Sequence, residues 1–352
     1  MSARDEARGS GVGGAESGDL TRGSGERGAA PAALVLHPAC ALHDTGWKHP
    51  EHQGRLPAIV NALYQDTPAL LHAVLQREAE LASRSALLRV HTPEHVERIE
   101  AAAARAEQEG EAVFLDADTV VSGASWEAAL AAAGCAITAA ELVLRGEART
   151  AFALTRPPGH HATADRAMGF CLFNNVAVAA RHVQAEWRVG RVLIVDWDVH
   201  HGNGTQEVFY NDPSVYFFSL HLRGHYPGTG SAEERGVGAG IGTTRNVELP
   251  HGLPAAEYRR IFAEQLDATL AEFEPDFVFI SAGFDCLAGD PLGGLLLEPA
   301  DLHAITRLVI ERTAATAGGR VVAVLEGGYV PARLGAGVVR VLRALAGLPA
   351  EG

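Results

Sequence analysis

The sequence predicts an α/β protein built on a mostly parallel central sheet, and three observations carry that expectation. Short, near-continuous apolar runs recur at residues 33–36, 151–154, 192–195, 215–218, 277–280 and 321–325, as strands do when a sheet is covered on both faces. Longer segments of helical character separate them, the alternation that marks a doubly wound sheet. Four of the runs end in reactive polar residues, and in open α/β sheets the ligand crevice lies beyond the carboxyl ends of the strands.

In chain order, residues 1–30 come first. They hold eight Gly and four Ser among mixed charges, with Val12 and Leu20 the only large aliphatics, so a disordered tail is expected there and a folded region from about Pro31. A helix is expected from Thr92-Pro93, an N-cap followed by proline at the first helical position, to Gly110. Further helices are expected over residues 125–144, 170–183, 257–273 and 299–317. The run at 151–154 leads to His160 and His161, that at 192–195 to Asp196, Asp198 and His200, that at 277–280 to Asp285, and that at 321–325 to Tyr329.

Composition narrows the function. The chain has 352 residues, 47% of them apolar, enough to bury a sizeable core. A net charge of -14 argues against intrinsic nucleic-acid binding and fits a cationic substrate or partner. No run of eighteen or so consecutive apolar residues suggests a membrane helix, and the charged N-terminal stretch lacks a signal-peptide core, so a cytoplasmic location is expected. Cys40, Cys135, Cys171 and Cys286 lack Cys-x-x-Cys spacing and read as reduced core residues. The absence of a 20–50 residue repeat, of G-x-G-x-x-G and of a P-loop removes solenoids, dinucleotide enzymes and common NTPases.

The most informative stretch is Val192-Leu-Ile-Val-Asp-Trp-Asp-Val-His-His-Gly-Asn-Gly204. In an extended strand residues i, i+2 and i+4 share a face, about 6 to 7 Å apart in succession, so Asp196, Asp198 and His200 are expected to point together. Asp198 and His200 offer an oxygen and an imidazole nitrogen, a mixture suited to Zn²⁺ with a third ligand from elsewhere and an open position for water. An ordinary polar loop does not account for two carboxylates, paired histidines and Gly-Asn-Gly directly behind an apolar run. Asp285 is the expected third ligand, with Asp290 as its rival; an acid before proline commonly caps a turn.

Two acids against a double positive charge leave a bound water less acidified than three imidazoles would, so a nearby base would help. His160 and His161, behind the stiff turn Arg156-Pro-Pro-Gly159, meet that need, although either alone would read as a core histidine. Asp196 and Asn203 are the candidate partners that would orient the two imidazoles. A histidine facing an amide is expected to keep a pKa closer to neutrality than one facing a carboxylate and to be the better proton carrier. Tyr329, behind Glu326-Gly-Gly, is expected to offer its hydroxyl to a polarised carbonyl, against the plainer alternative of a half-buried tyrosine at a strand end.

These residues resemble the histone deacetylase superfamily, in particular its class II and bacterial deacetylase-like amidohydrolase branch. The resembling blocks are His49-Pro-Glu-His-Gln-Gly-Arg55, Val90-His-Thr-Pro-Glu94, Leu115-Asp-Ala-Asp-Thr119, Arg156-Pro-Pro-Gly-His-His161, Gly169-Phe-Cys-Leu-Phe-Asn-Asn175, Asp196 to Thr205, Ser219-Leu-His221, Pro227-Gly-Thr-Gly230, Gly283 to Asp290 and Glu326-Gly-Gly-Tyr329. The resemblance implies the three-layer α/β/α arginase-deacetylase fold, a catalytic domain over residues 31–348, and Zn²⁺-dependent hydrolysis of acetylated amines, with Fe²⁺ as the alternative metal. It implies Asp198, His200 and Asp285 as zinc ligands, His161 as general base and acid, His160 as electrostatic support beside Asp196, and Tyr329 as carbonyl clamp.

The resemblance further implies channel walls at Phe170 and Tyr226, the acetamide beside Gly169, a rim position at Asp118, and Arg55 near an inner exit for acetate. Asn203 stands where class I members carry aspartate. Leu292 stands where dedicated acetylpolyamine enzymes tend to carry an acid, which weakens a polyamine reading. Structural potassium is implied at Asp196, Asp198, His200, Ser219 and Leu220, and again around Phe209, Asp212, Val215 and Thr243. The implied substrates are acetylated lysine in proteins or peptides, or small acylated amines. An arginase-like enzyme would need two metals and more carboxylates than the one trio seen, and a silent scaffold would have no use for the intact histidine, acid and tyrosine set.

Overall fold

The computed structural model describes residues 32–351; the tail expected over residues 1–30 lies outside them. Strand β1 (Ala32–Leu36) leads through a 3-10 turn at Pro38–Leu42 to helices α1 (Arg55–Gln65) and α2 (Thr67–Leu70) and strand β2 (Val74–Glu78). Next come α3 (Arg84–Leu87), α4 (Pro93–Glu109), a small antiparallel pair β3 (Val113–Phe114) and β4 (Val120–Val121), α5 (Ser125–Leu144) and β5 (Thr150–Ala153). The middle of the chain forms α6 (Asn175–Trp187), β6 (Val192–Asp196), α7 (Asn203–Phe209), β7 (Val215–Leu222) and β8 (Thr244–Leu249). The last stretch forms α8 (Ala255–Glu272), β9 (Phe277–Ala282), α9 (Pro299–Ala317), β10 (Val321–Leu325) and α10 (Pro331–Leu345).

Eight strands form one sheet in the order β2-β1-β5-β10-β9-β6-β7-β8, and every pairing in it is parallel. Parallel neighbours require crossovers, and the helices that make them pack in two rows. Helices α1, α10, α9 and α8 follow one another in one row, and α5 packs on α6 in the other. Strands β5, β6, β7, β9 and β10 are buried throughout, so helices cover both faces of the sheet and the fold is a three-layer α/β/α sandwich. Helix α5 is long and apolar enough to pass for a membrane span, yet most of it is buried against β1, β5 and α6 as a core helix.

Helix starts follow local chemistry. Thr92 caps α4 by accepting the His95 N–H, Pro93 fills its first turn, and Gly110 ends it with φ 71°. Helix α6 corrects the expectation of a helix from residue 170: it begins at Asn175, where the Asn174 side chain accepts the Ala177 N–H. The preceding residues form a turn in which Phe170 has φ 68°. That left-handed backbone is costly for a non-glycine residue, and it turns the Phe170 ring away from the core. All four cysteines are buried and free.

Candidate active site

Strands β5, β10, β9 and β6 are contiguous at the centre of the sheet, so their carboxyl ends open onto one place. Strand β6 ends at Asp196, so the expectation that Asp198 and His200 extend the strand is corrected. Two side-chain turns bring them together instead: Asp196 Oδ1 accepts the Asp198 N–H at 3.1 Å, and Asp198 Oδ1 accepts the His200 N–H at 3.0 Å. The intervening Val199 N–H donates to Asp285 Oδ1 at 2.9 Å, which ties the β6 turn to the end of β9.

Asp198, His200 and Asp285 converge with one ligand atom from each, all within 4.8 Å of one another. His200 Nδ1 lies 2.9 Å from Asp198 Oδ1 and 3.2 Å from Asp285 Oδ2. Asp290 stays outside the trio and accepts backbone N–H groups from Tyr329 and Leu292. Burial and the neighbouring Asp198 push the Asp285 carboxyl up to about 7. Although burial opposes it, the two carboxylates raise the His200 imidazole to about 10.

The trio fits a divalent cation on two observations. Asp285 Oδ2 is buried and has no well-aligned hydrogen-bond donor, its one polar neighbour being His200 Nδ1 of the same trio at 3.2 Å, which leaves a carboxylate oxygen poorly compensated unless a cation completes it. Gly327 packs against both acids so closely that a Cβ there would stand 2.1 Å from Asp285 Oδ2 and 2.8 Å from Asp198 Oδ2. The oxygen-and-nitrogen donor set suits Zn²⁺ and leaves room for a fourth position.

His160 and His161 sit side by side, ring centroids 4.1 Å apart, with different partners. His160 Nδ1 meets Asp196 Oδ2 at 3.0 Å; burial works against the charge, but Asp196 and then Asp198 raise this imidazole to about 10. His161 Nδ1 donates to Asn203 Oδ1 at 2.8 Å. The Asn203 amide nitrogen faces the His161 carbonyl and Met168 Sδ, both 3.4 Å away, which fixes its oxygen toward the ring. Burial, with His160 and His200 adding to it, holds the His161 imidazole well below the usual range. It is therefore neutral, with Nε2 free to take a proton. The loop carrying both histidines is anchored by Glu326, which accepts the Gly159 and His160 N–H groups at 2.7 and 3.1 Å.

A cavity of about 250 Å³ runs down to these groups, lined by Asp118, His161, Gly169, Phe170, His200 and Tyr226, with Leu292 and Tyr329 closing it. Tyr226 stands T-shaped to His161 at 5.0 Å and Phe170 T-shaped to Tyr329 at 5.8 Å. Burial, then Asp285 and Asp198, push the Tyr329 phenol well above its usual range, so it keeps its proton and can donate it in a hydrogen bond to an incoming carbonyl oxygen. Arg55 lies behind it, guanidinium 5.3 Å from the ring. This arginine is fully buried and bonded to Glu51 at 2.9 Å and to the Gly328 carbonyl at 2.8 Å.

Sequence reasoning assigned no role to His225, His49 or Glu51. His225 lines the cavity and stacks on His200 at 4.9 Å. His49 packs edge-on to Phe170 at 4.6 Å and donates to the Asp118 carbonyl at 2.9 Å. Glu51 Oε1 joins Arg55 to Arg156 at 2.7 Å in a buried ion cluster. The only signal for these three was their place inside or beside the motif blocks. Of the residues expected at potassium, Ser219 stands opposite Asp196 in the β6–β7 register, with Leu220 next to it. The Asp212 carboxylate pairs with Arg181, and the Asp212 carbonyl accepts the Thr243 hydroxyl at 3.3 Å. Phe209 ends α7 and Val215 opens β7, flanking that loop.

A parallel α/β/α sandwich with a cation cradle, a neutral histidine and a phenol at the bottom of a narrow cleft is an arrangement suited to metal-assisted hydrolysis. Residues 49–345 match the family model described as Histone deacetylase domain. The chain is 38% identical over 312 residues to "Histone deacetylase 10, chloroplastic" of Oryza sativa subsp. japonica, covering 86% of this chain and 70% of that one. It is 38% identical over 309 residues to the "Histone deacetylase-like amidohydrolase" of Pseudomonas aeruginosa, covering 86% and 78%. The crystal structure of the HDA15 HD domain superposes with a TM-score of 0.82 at 38% identity, covering 90% of each chain. The chain belongs to the histone deacetylase family and is a hydrolase of the deacetylase and amidohydrolase type, acting on acetyl amides. Its substrates fall in the class of acylated lysines or amines, and its family uses a metal ion, for which the trio is the candidate site.

Proposed function

We propose that the protein hydrolyses the N-acetyl or N-acyl amide of lysine side chains, with Zn²⁺ held by Asp198, His200 and Asp285. The observation that carries this reading is the neutral His161, its Nδ1 committed to Asn203 and its Nε2 free, on the floor of a narrow cavity beside the trio. When bound, the divalent ion supplies Lewis acidity at the acyl carbonyl and lowers the pKa of the attacking water. His161 Nε2 takes that water's proton and later returns it to the departing amine. Tyr329 donates its phenol to the carbonyl oxygen as negative charge grows there, and the protonated His160, paired with Asp196, offsets charge beside it. Phe170 and Tyr226 flank the methylene stem of the substrate, Gly169 gives the acetamide room, and Asp118 at the mouth accepts a substrate N–H or amine.

A small acylated amine is the second reading, supported by the exposed Asp118 carboxylate at the mouth; the apolar Leu292 in the same lining favours lysine. Fe²⁺ is the alternative metal. Structural potassium is proposed at the two groups around Ser219 and Asp212.

The test sets acetyl-lysine peptides, acetylspermidine and longer acyl-lysines side by side, with and without chelator. His161→Ala and Tyr329→Phe are each expected to lower turnover of the acetyl-lysine peptide by about 100-fold or more while metal content persists. Near-normal rates in either variant refute that residue's role, and preference for acetylspermidine refutes the lysine substrate.

A further inference from the structure

Asp290 lies five residues beyond Asp285 yet takes no part in the trio. Both of its carboxylate oxygens hold backbone: Oδ2 accepts the Tyr329 N–H at 2.7 Å, and Oδ1 accepts the Leu292 N–H at 3.0 Å. One side chain thus fastens the segment carrying Leu292, a wall of the pocket, to the segment carrying Tyr329. Hydrogen bonds from N–H to an ionised carboxylate are among the stronger ones. The same wall is held from the other side, where His225 Nε2–H donates to the Leu292 carbonyl at 2.9 Å. The His225 ring lies nearly flat on His200, 4.9 Å away and inclined by 19°, and the next residue, Tyr226, also lines the pocket. The turn between these holds has little slack: the Gly293 N–H closes it on the Asp290 carbonyl at 3.2 Å, and a Cβ on Gly293 would stand 2.1 Å from the Asp285 carbonyl.

We propose that Asp290 and His225 are positioning residues that clasp the Leu292 wall between them, so that the placement of the Tyr329 hydroxyl and the width of the pocket are set together. The proposal rests on the reading of Tyr329 as the carbonyl donor and adds two residues that touch no reacting atom. Their losses differ in kind. Asparagine at 290 has one acceptor oxygen for two N–H groups and turns its own NH₂ against one of them, which shifts the backbone under Tyr329. Alanine at 225 frees the Leu292 carbonyl and loosens the wall, whereas glutamine at 225 can still donate an amide N–H to it.

The experiment compares metal-loaded Asp290→Asn, His225→Ala, His225→Gln and Tyr329→Phe on acetyl-lysine and butyryl-lysine peptides. Metal content, thermal midpoint and hydroxamate affinity by calorimetry are measured alongside. Asp290→Asn is expected to lower kcat about 100-fold, the scale of a 1 Å misplacement, with metal content and KM near wild type. His225→Ala is expected to raise KM and the hydroxamate Kd about tenfold, the scale of one lost hydrogen bond, and to raise the butyryl-to-acetyl ratio of kcat/KM; His225→Gln restores most of both. An Asp290→Asn kcat near wild type overturns the clasp, as does a loss matched by falling metal content or midpoint. So does a His225→Gln variant no better than His225→Ala. Slow Tyr329→Phe with normal Asp290→Asn overturns the clasp alone, while normal Tyr329→Phe overturns the donor role on which it rests.

Discussion

His161 and Gly169 form a matched pair at the pocket floor. Gly169 has φ 55°, and a Cβ there would stand 2.5 Å from His161 Cδ2 and 3.0 Å from Tyr226 Cε1. His161 is buried and tied to Asn203, so it cannot give way without losing that bond, whereas Tyr226 is partly exposed. Gly169→Ala is therefore expected to displace the proton carrier and lower kcat/KM by about 100-fold. The left-handed backbone costs about 1–2 kcal/mol of stability in addition. Steady-state kinetics together with a urea midpoint check this, and an unchanged kcat/KM would show that the floor is looser than the contacts imply. The residue types at this floor were legible in the sequence, because His, Asp and Tyr behind apolar runs carry their chemistry with them. Their partners were not legible from local pattern, and only the family resemblance put His160 beside Asp196: whether Asn203 or Asp196 faced His161 depends on where α7 begins relative to a loop some forty residues earlier.

Helix α6 shows how one capping side chain serves both an element and the site. The Asn174 side chain accepts the Ala177 N–H at 3.1 Å, and its amide donates to the Ala162 carbonyl at 3.2 Å and to Thr205 Oγ1 at 3.1 Å. It joins the start of α6 to the histidine loop and to α7. Asn174→Ala removes a cap and leaves buried polar groups without partners, an expected cost of about 2–4 kcal/mol, read as a lower denaturant midpoint with an unchanged m-value. A cost below about 0.5 kcal/mol, within the range of an ordinary surface change, would mean that water replaces the amide. The central strands and α4, α5, α8 and α9 were legible because their apolar runs or periodic faces are long. Edge strands β2 and β8, with sequences VLQRE and TRNVEL, were not, since one side of an edge strand meets solvent and its apolar signal is diluted. Helix α6 was placed five residues early because the apolar residues around Phe170 line a turn rather than a helix face.

The whole molecule holds several histidines neutral in its interior, and its stability should record that. Burial, with His95 adding to it, depresses His91 to about 3, and burial with Arg156 and His49 depresses His43 to about 4 even though Glu51 opposes the shift. The bonding of His91 requires the neutral form, because Nδ1–H donates to the Thr163 carbonyl at 2.9 Å and Nε2 accepts the Asn174 N–H at 2.9 Å. The unfolded chain takes up each proton near pH 6.5, the folded chain only near the depressed values. Stability from this source is complete above about pH 6.5 and is lost as pH falls toward 3 to 4, by about 2 kcal/mol per histidine at pH 5. The stability gap between wild type and His91→Gln is accordingly expected to narrow by about that amount between pH 7.5 and 5. Parallel denaturation curves at the two pH values measure it; a constant gap would mean that His91 titrates normally.

The sequence by itself determined the parallel α/β class, the apolar strands, and the kinds of side chain that would meet at their ends, because burial and reactivity are written in local composition and spacing. The tertiary structure alone decided which of those side chains meet. Asp198 accepts the Gly327 N–H across 129 residues of chain, and the Val199 N–H finds Asp285 across 86. It brought the expected Asp285 into the trio and left Asp290 outside, recruited His225 and His49, and paired His161 with an amide. The physical reason is the strand order β5-β10-β9-β6: which strands become neighbours follows from how helices pack across the whole sheet, and no local stretch carries that information.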